Sequence, residues 1–246
     1  MIHYHGTPLG GKSINHVDFF TGRHALVSFA YPQDIGIVAD LCQSFVLDNG
    51  AFSVWKRGID LDVDEYIDWV DMWHKHPGFD WALIPDVIEG TEEENDRMLD
   101  VWPDHIRGVP VWHMHESIER LKRLCYERPF VALGSSGEWP TPGTMKWWDR
   151  MSEAMDAICD VQGRPLCRLH GLRMLNPTIF GKLPLSSADS TNAAVNSGSL
   201  SRYGIYLPPT AAQRAGIIAD RIEQNNSASV WGGRPKQLQL FQQGEE

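Results

Sequence analysis

Two aspartates far apart in the chain, Asp48 and Asp189, each end a short run of strand-forming residues, Ser44–Leu47 before the first and Leu185–Ala188 before the second. Brought together over the C1 carbon of a sugar, such a pair can break a glycosidic bond. One carboxylate attacks and forms a covalent glycosyl intermediate, while the other moves a proton or orients the reacting groups. The histidines offer a different chemistry. His113 and His115 are two residues apart, so on a strand their imidazoles project to the same side. With His170 and Asp189 they can hold zinc, as in metal-dependent barrel hydrolases. His3 and His5 repeat the spacing near the N-terminus. Histidines that only hydrogen-bond in a wet pocket fit the pattern equally well, and both chemistries stay open at this level.

The elements that must position these residues follow from the pattern of apolar runs. Strand-like runs fall at 25–29, 44–47, 81–84, 109–112, 130–133, 167–170 and 185–188, with a last one at 203–207. Helical spacing occupies 62–73, 92–102, 117–128, 145–161, 177–182 and 210–224, with Ser117 placed to cap its helix. Strand–helix alternation of this regularity predicts a parallel sheet. Seven or eight such units in one domain favour a closed (β/α)8 barrel of the TIM type over an open sheet. The Gly-x-Gly-x-x-Gly dinucleotide fingerprint of open sheets is missing. In a barrel, the C-terminal ends of the strands form the active-site rim. Polar clusters sit at six of those ends: Asp48-Asn49-Gly50, Asp86, His113 with His115, Gly134 to Gly137, His170-Gly171, and Ser187 to Ser190. Singly, each has an ordinary explanation as a helix cap or a turn. Together they predict one polar mouth.

The bulk numbers agree with a single globular α/β domain of 246 residues, 42% hydrophobic and 22% charged. No apolar run is long enough to span a bilayer, and the first residues carry no signal-peptide pattern, so a cytoplasmic protein is expected, in a bacterial host cytosol. Cys42, Cys125, Cys159 and Cys167 form no Cys-x-x-Cys pair, which leaves reduced thiols rather than a disulfide framework or a zinc knuckle. A formal charge of −10 argues against a simple electrostatic nucleic-acid binder. The charge is uneven, however. Residues 60–160 carry 9 basic and 23 acidic side chains, and residues 164–236 carry 9 basic and 3 acidic. Either one face is basic or solvated residues are grouped by chance.

The order of the strand-end motifs carries a resemblance. Leu47-Asp48-Asn49-Gly50-Ala51-Phe52, Ile84-Pro85-Asp86, Val111 to Glu116, Ala132 to Gly137, Leu169-His170-Gly171 and Ser187 to Thr191 resemble the tRNA-guanine transglycosylase superfamily. They are most similar to its branch in phages and bacterial genomic islands, which inserts 7-deazaguanine bases into DNA. The resemblance implies a pentosyltransferase that exchanges guanine in DNA for a 7-deazaguanine base such as preQ0. It assigns Asp189 as the nucleophile at C1′, Asp48 as the carboxylate that assists proton transfer, and Asp86 as the reader of the purine edge. Asn49, Gly50, Phe52, His113 or His115, Gly134, Ser135, His170 and Gly171 fall in its base-binding positions. Phe52 or Trp112 can stack on the base. Attack at C1′ requires a flipped or single-stranded nucleotide. The cysteine-rich zinc site of the tRNA enzymes is not matched, so neither a structural metal nor a cofactor is expected, and tRNA is the less favoured substrate. A noncatalytic nucleobase-binding barrel is the remaining alternative.

Residues 1–225 are expected to form the barrel, with 226–246 as linker and flexible tail. Within that tail, Gln237, Leu238, Gln239, Leu240 and Phe241 resemble the pentapeptide by which bacterial replication proteins dock on the β sliding clamp. Trp231 to Pro235 read as a linker before it. A tethered enzyme has a raised effective concentration at DNA and needs less phosphate affinity of its own, which fits an acidic chain. The other reading is a closing strand packed on the barrel.

Overall fold

Short strands, most of them followed by a helix, build one parallel sheet. The computed structural model describes residues 1–7, 16–51, 61–196 and 208–235. In chain order the elements are β1 (Ile2–Gly6), α1 (His16–Phe20), β2 (His24–Ser28), α2 (Ile35–Leu41), β3 (Ser44–Asp48), α3 (Val63–Trp73), β4 (Phe79–Leu83), α4 (Glu92–Val101), β5 (Gly108–Val109), β6 (Val111–His113), α5 (Ile118–Glu127), β7 (Phe130–Gly134), α6 (Met145–Ile158), β8 (Arg168–Gly171), α7 (Pro177–Phe180), β9 (Ser187–Ser190), α8 (Asn192–Asn196) and α9 (Ala211–Glu223). Several helices start where the sequence pattern puts them, because the capping residue is in place. The side chains of Asp62, Thr91, Ser117, Thr144 and Thr210 each accept a backbone N–H of the first turn, and Thr91 with Glu94 forms a reciprocal capping box.

The strands lie in the order β5-β4-β3-β2-β1-β9-β8-β7-β6. Its two edges, β5 and β6, are consecutive in the chain and separated by Pro110 alone. Proline has no N–H to give a ladder, so the strand breaks there: β5 pairs with β4, and β6 pairs with β7. With β5 and β6 taken as two halves of one broken strand, eight strands close a barrel of the TIM type.

The sequence pattern misses β1. Its polar lettering, Ile-His-Tyr-His-Gly, hides a central strand, yet β1 pairs in parallel with both β2 and β9 and completes the ring. The strand expected at 203–207 lies outside the described residues. His3 and His5 point outward, where their Nε2 atoms meet the Asn225 carbonyl at 2.9 Å and the Glu223 carboxylate at 2.8 Å. Tyr4 between them points inward.

Alternation along the strands separates a lumen from an outer shell. Tyr4, Leu26, Val46, Trp81, Leu83, Val109, Val111, Phe130 and Ala132 fill the lumen as one buried cluster. Two larger clusters lie between sheet and helices, one under α5 and α6, the other under α2, α3 and α9. At the lumen floor the Tyr4 hydroxyl donates to Asp80 at 2.7 Å, and Ser44 donates to the same carboxylate oxygen. Burial and that carboxylate push the Tyr4 phenol well above its ordinary pKa. The lumen is therefore a packed core, not a pore.

The linker expectation for 226–235 is corrected. Trp231 is buried in the outer shell; its N–H donates to the Gly163 carbonyl at 2.7 Å and its indole to Asp156 at 2.6 Å. The Trp231 carbonyl lies 2.3 Å from where a Cβ of residue 163 would sit, which explains glycine there, at φ +77°. Ser227 donates to the Leu185 carbonyl at 2.7 Å. The segment straps the helical shell as far as residue 235. Gln237, Leu238, Leu240 and Phe241 lie outside the described residues. Among those described, no helix is long and apolar enough to cross a membrane.

Candidate active site

Strand alternation decides which polar residues reach the mouth. On β3, Val46 lines the lumen and Leu47 packs outward, so Asp48 turns inward at the strand end. On β9, Ala188 packs outward, and Ser187 and Asp189 turn inward. His170 on β8 reaches the lumen beside Trp81, ring centroids 4.8 Å apart.

Asp189 is held from two sides. His170 Nε2 lies 3.2 Å from its Oδ1, and the Arg173 N–H donates to the same oxygen at 2.9 Å. Arg173 sits at φ +60°, a left-handed turn that aims its N–H back at the carboxylate. Asp48 accepts from the Gly50 N–H at 3.1 Å and is hydrogen-bonded to Ser28, its ladder partner on β2. Burial pushes the Asp48 carboxyl up to about 7; the charges of Asp189 and Asp86 push the same way, against the Ser28 and Gly50 hydrogen bonds. Asp48, Asp86 and Asp189 thus share one electrostatic site, with Asp48 only partly shielded from solvent.

Asp86 follows β4 and is fixed at both oxygens. Asn49 donates to Oδ1 at 2.5 Å, and His113 Nε2 meets Oδ2 at 2.8 Å. A carboxylate only accepts, so Nε2 of His113 carries the proton. Its Nδ1 is then a buried acceptor with no partner among the described residues. Gly134 on the neighbouring strand leaves room beside that nitrogen, since a Cβ there would sit 3.1 Å from it. His115 stacks on His113, with ring centroids 5.6 Å apart, but both its nitrogens are in use: Nε2 at 3.0 Å from the Gly90 carbonyl and Nδ1 at 2.8 Å from the Ser136 hydroxyl. His113 faces the mouth, whereas His115 ties two rim loops together.

Not every expected residue reaches the mouth. The Ser135 hydroxyl accepts from the Trp147 indole at 2.9 Å, in the outer shell. Gly171 packs under Leu185 and Met174, which leave no room for a side chain. Phe52 lies outside the described residues, and Trp112 is fully buried in the outer shell, too far inside to stack on a base. The four donors of the metal reading do not converge: His113 is bound to Asp86, His115 to Ser136 and Gly90, and His170 to Ser187 and Asp189. Among the described residues, the group whose ligand atoms lie within 4.8 Å of one another is elsewhere, at Asp71, His74 and His105.

Sequence reasoning missed the buried network behind the mouth. Glu116 accepts from the His113 backbone N–H at 2.8 Å, from Asn95 at 2.8 Å and from Arg120 at 2.7 Å. Asn95 on α4 in turn brackets Val87, accepting from its N–H and donating to its carbonyl, one residue after Asp86. The network pins the Asp86 loop to the end of β6. Its one sequence signal is the Glu116–Arg120 spacing of four, an ordinary helix-surface pair. No protein-family model matches the chain, and no curated protein matches it.

Proposed function

We propose that the chain is a transglycosylase that replaces guanine in DNA by a 7-deazaguanine base through a covalent aspartyl nucleotide. The observation that carries this reading is the pair of inward carboxyls at one rim, Asp189 held by His170 and the Arg173 N–H, and Asp48 pushed by burial to about 7, where a carboxyl would give and take a proton near neutral pH. Asp189 attacks C1′ through Oδ2, since Oδ1 is occupied by His170 and the Arg173 N–H. The C1′–N9 bond breaks, and guanine leaves with the bonding pair as Asp48 supplies the proton. The incoming base then loses its N9 proton to Asp48 and attacks C1′, and the bond to Asp189 breaks.

Guanine and 7-deazaguanines present the same N1–H and 2-amino edge. Asp86 keeps a free lone pair on each oxygen beyond those used by Asn49 and His113, and can accept from both groups. Gly134 allows the flat base to approach His113 closely. A nucleotide in this mouth must be flipped out or single-stranded. The peptide Gln237-Leu-Gln-Leu-Phe241 would tether the enzyme to the β sliding clamp. Pull-down of the clamp should fail for the double variant Leu240→Ala, Phe241→Ala.

The test is mass spectrometry of nucleosides from DNA incubated with the protein and candidate 7-deazaguanines, together with a denaturant-stable protein–DNA adduct on gels. Both should appear with the wild type, and the adduct should vanish in Asp189→Asn. An adduct that survives in Asp189→Asn overturns the reading.

A further inference from the structure

At the other end of the barrel, the N-terminal end of the strands, two connections meet. Helix α3 ends there at Trp73, with His74 as its C-cap, and the loop after α4 passes through His105 on its way to β5. Asp71 in the last turn of α3 joins them. Its Oδ1 lies 2.8 Å from His105 Nε2 and 3.4 Å from His74 Nδ1, and the two imidazoles meet edge to face at 5.2 Å. One carboxylate and two imidazoles thus offer three ligand atoms within 4.8 Å of one another.

We infer that Asp71, His74 and His105 form a binding site for a single divalent transition cation of the zinc type, separate from the barrel mouth. The donor set is two nitrogens and one oxygen, which suits zinc and its neighbours and not calcium or magnesium, whose sites are built from oxygen. Tetrahedral zinc with ligands at about 2.0–2.2 Å places the ligand atoms roughly 3.4 Å apart. The Asp71–His74 separation is already 3.4 Å, and the Asp71–His105 pair has only to open from 2.8 Å as the cation replaces the proton between them. His74 would exchange its hydrogen bond to the Asp71 carbonyl, at 2.8 Å, for the metal. Water completes the shell, since Asp71 and His105 are exposed.

Two features beyond the donors favour a cation here. The last turn of α3 holds no basic residue, so the negative end of its dipole has no side-chain counter-charge within the helix. The surrounding chain is also the acidic stretch 60–160. Lys75 opposes them within electrostatic reach of Asp71, but its long stem can carry the ammonium into solvent. A bound ion would clip the end of α3 to the connection entering β5.

Calorimetric titration of the chelator-stripped full chain with zinc chloride tests the site. The wild type should take up one ion per chain and gain thermal stability, because the ion binds only the folded arrangement. His105→Ala removes an exposed ring and leaves the core untouched, and it should abolish that uptake and the stability gain. His113→Ala should keep both. No uptake by the wild type overturns the site. Uptake unchanged in His105→Ala also overturns it, and if that uptake is lost in His113→Ala, the ion sits at the mouth.

Discussion

His170 holds Asp189 through Nε2 at 3.2 Å, while its Nδ1 meets the Ser187 hydroxyl at 2.8 Å. Ser187 and Asp189 lie on the same inward face of β9, so one ring is clamped by two positions of the neighbouring strand. The carboxylate can only accept, which places the proton of the neutral ring on Nε2 and makes Nδ1 the acceptor of the Ser187 O–H. Asp189 therefore sets the tautomer, and Ser187, whose hydroxyl can donate, holds the ring in the orientation that meets the carboxylate.

Ser187→Ala should leave a buried imidazole nitrogen without its donor. The expected loss of stability is about 1–3 kcal/mol, read from urea denaturation. Base exchange should slow by about tenfold, equivalent to about 1.4 kcal/mol of lost orientation. Ser187→Thr, which keeps the hydroxyl, should recover most of the rate. Full activity in the alanine variant would mean that Asp189 alone holds the ring.

Asp48 gives a pH dependence of known sign. Its carboxyl is raised from 3.8 to about 7 in the folded chain. Between those values the folded state binds a proton that the unfolded state has lost, so this group lowers stability as pH rises from about 4 to about 7. Asp48→Asn should accordingly stabilise the protein, by about 2–4 kcal/mol at pH 8, with the gain shrinking as pH falls toward 4. Thermal melts across that range measure it. In the proposed reaction the first half needs the protonated acid, so adduct formation by the wild type should decline above about pH 7. A melting difference that does not change with pH would remove Asp48 as the titrating group.

Gly50 supports Asp48 from the backbone. It sits at φ +73°, and a Cβ there would lie 2.9 Å from the Ala30 backbone nitrogen. Gly50→Ala should cost about 1–3 kcal/mol in strain and displacement. It should also weaken the 3.1 Å hydrogen bond from its N–H to Asp48, so adduct yield at saturating DNA should fall more than stability predicts. Denaturant midpoints and adduct yields, taken on the same preparations, separate the two effects.

Much of this site is legible in the sequence because barrels place strand C-termini at one mouth. Once Ser44–Leu47 and Leu185–Ala188 read as strands, Asp48 and Asp189 had to fall on the same rim. Three kinds of information were not legible. Strand β1 carries histidines on its outer face, where Glu223 at the end of α9 and Asn225 after it supply partners, and a polar outer face erases the apolar run that marks a central strand. The side of the sheet on which Ser135 and Gly171 fall depends on register, which a one-residue offset reverses. Glu116, Asn95 and Arg120 are polar residues with surface-like spacing, and only the fold reveals that the Glu116 and Arg120 side chains are 0% and 1% exposed.

That buried pair permits a test that separates positioning from stability. Glu116→Ala would strand the Arg120 guanidinium inside the shell, with Asp96 and the Val111 carbonyl as its remaining partners. Breaking a buried ion pair in this way should cost about 3–5 kcal/mol. Replacing both partners with apolar groups, Glu116→Leu with Arg120→Met, should restore much of the loss, because neither charge is then left buried alone. Base exchange should not return with it. The His113 backbone N–H and Asn95 would still lack their acceptor, so β6 and the Asp86 loop would be free to move apart. Melting temperature and exchange rate of the single and double variants decide the matter, and recovery of both in the double variant would show that the network serves the fold alone.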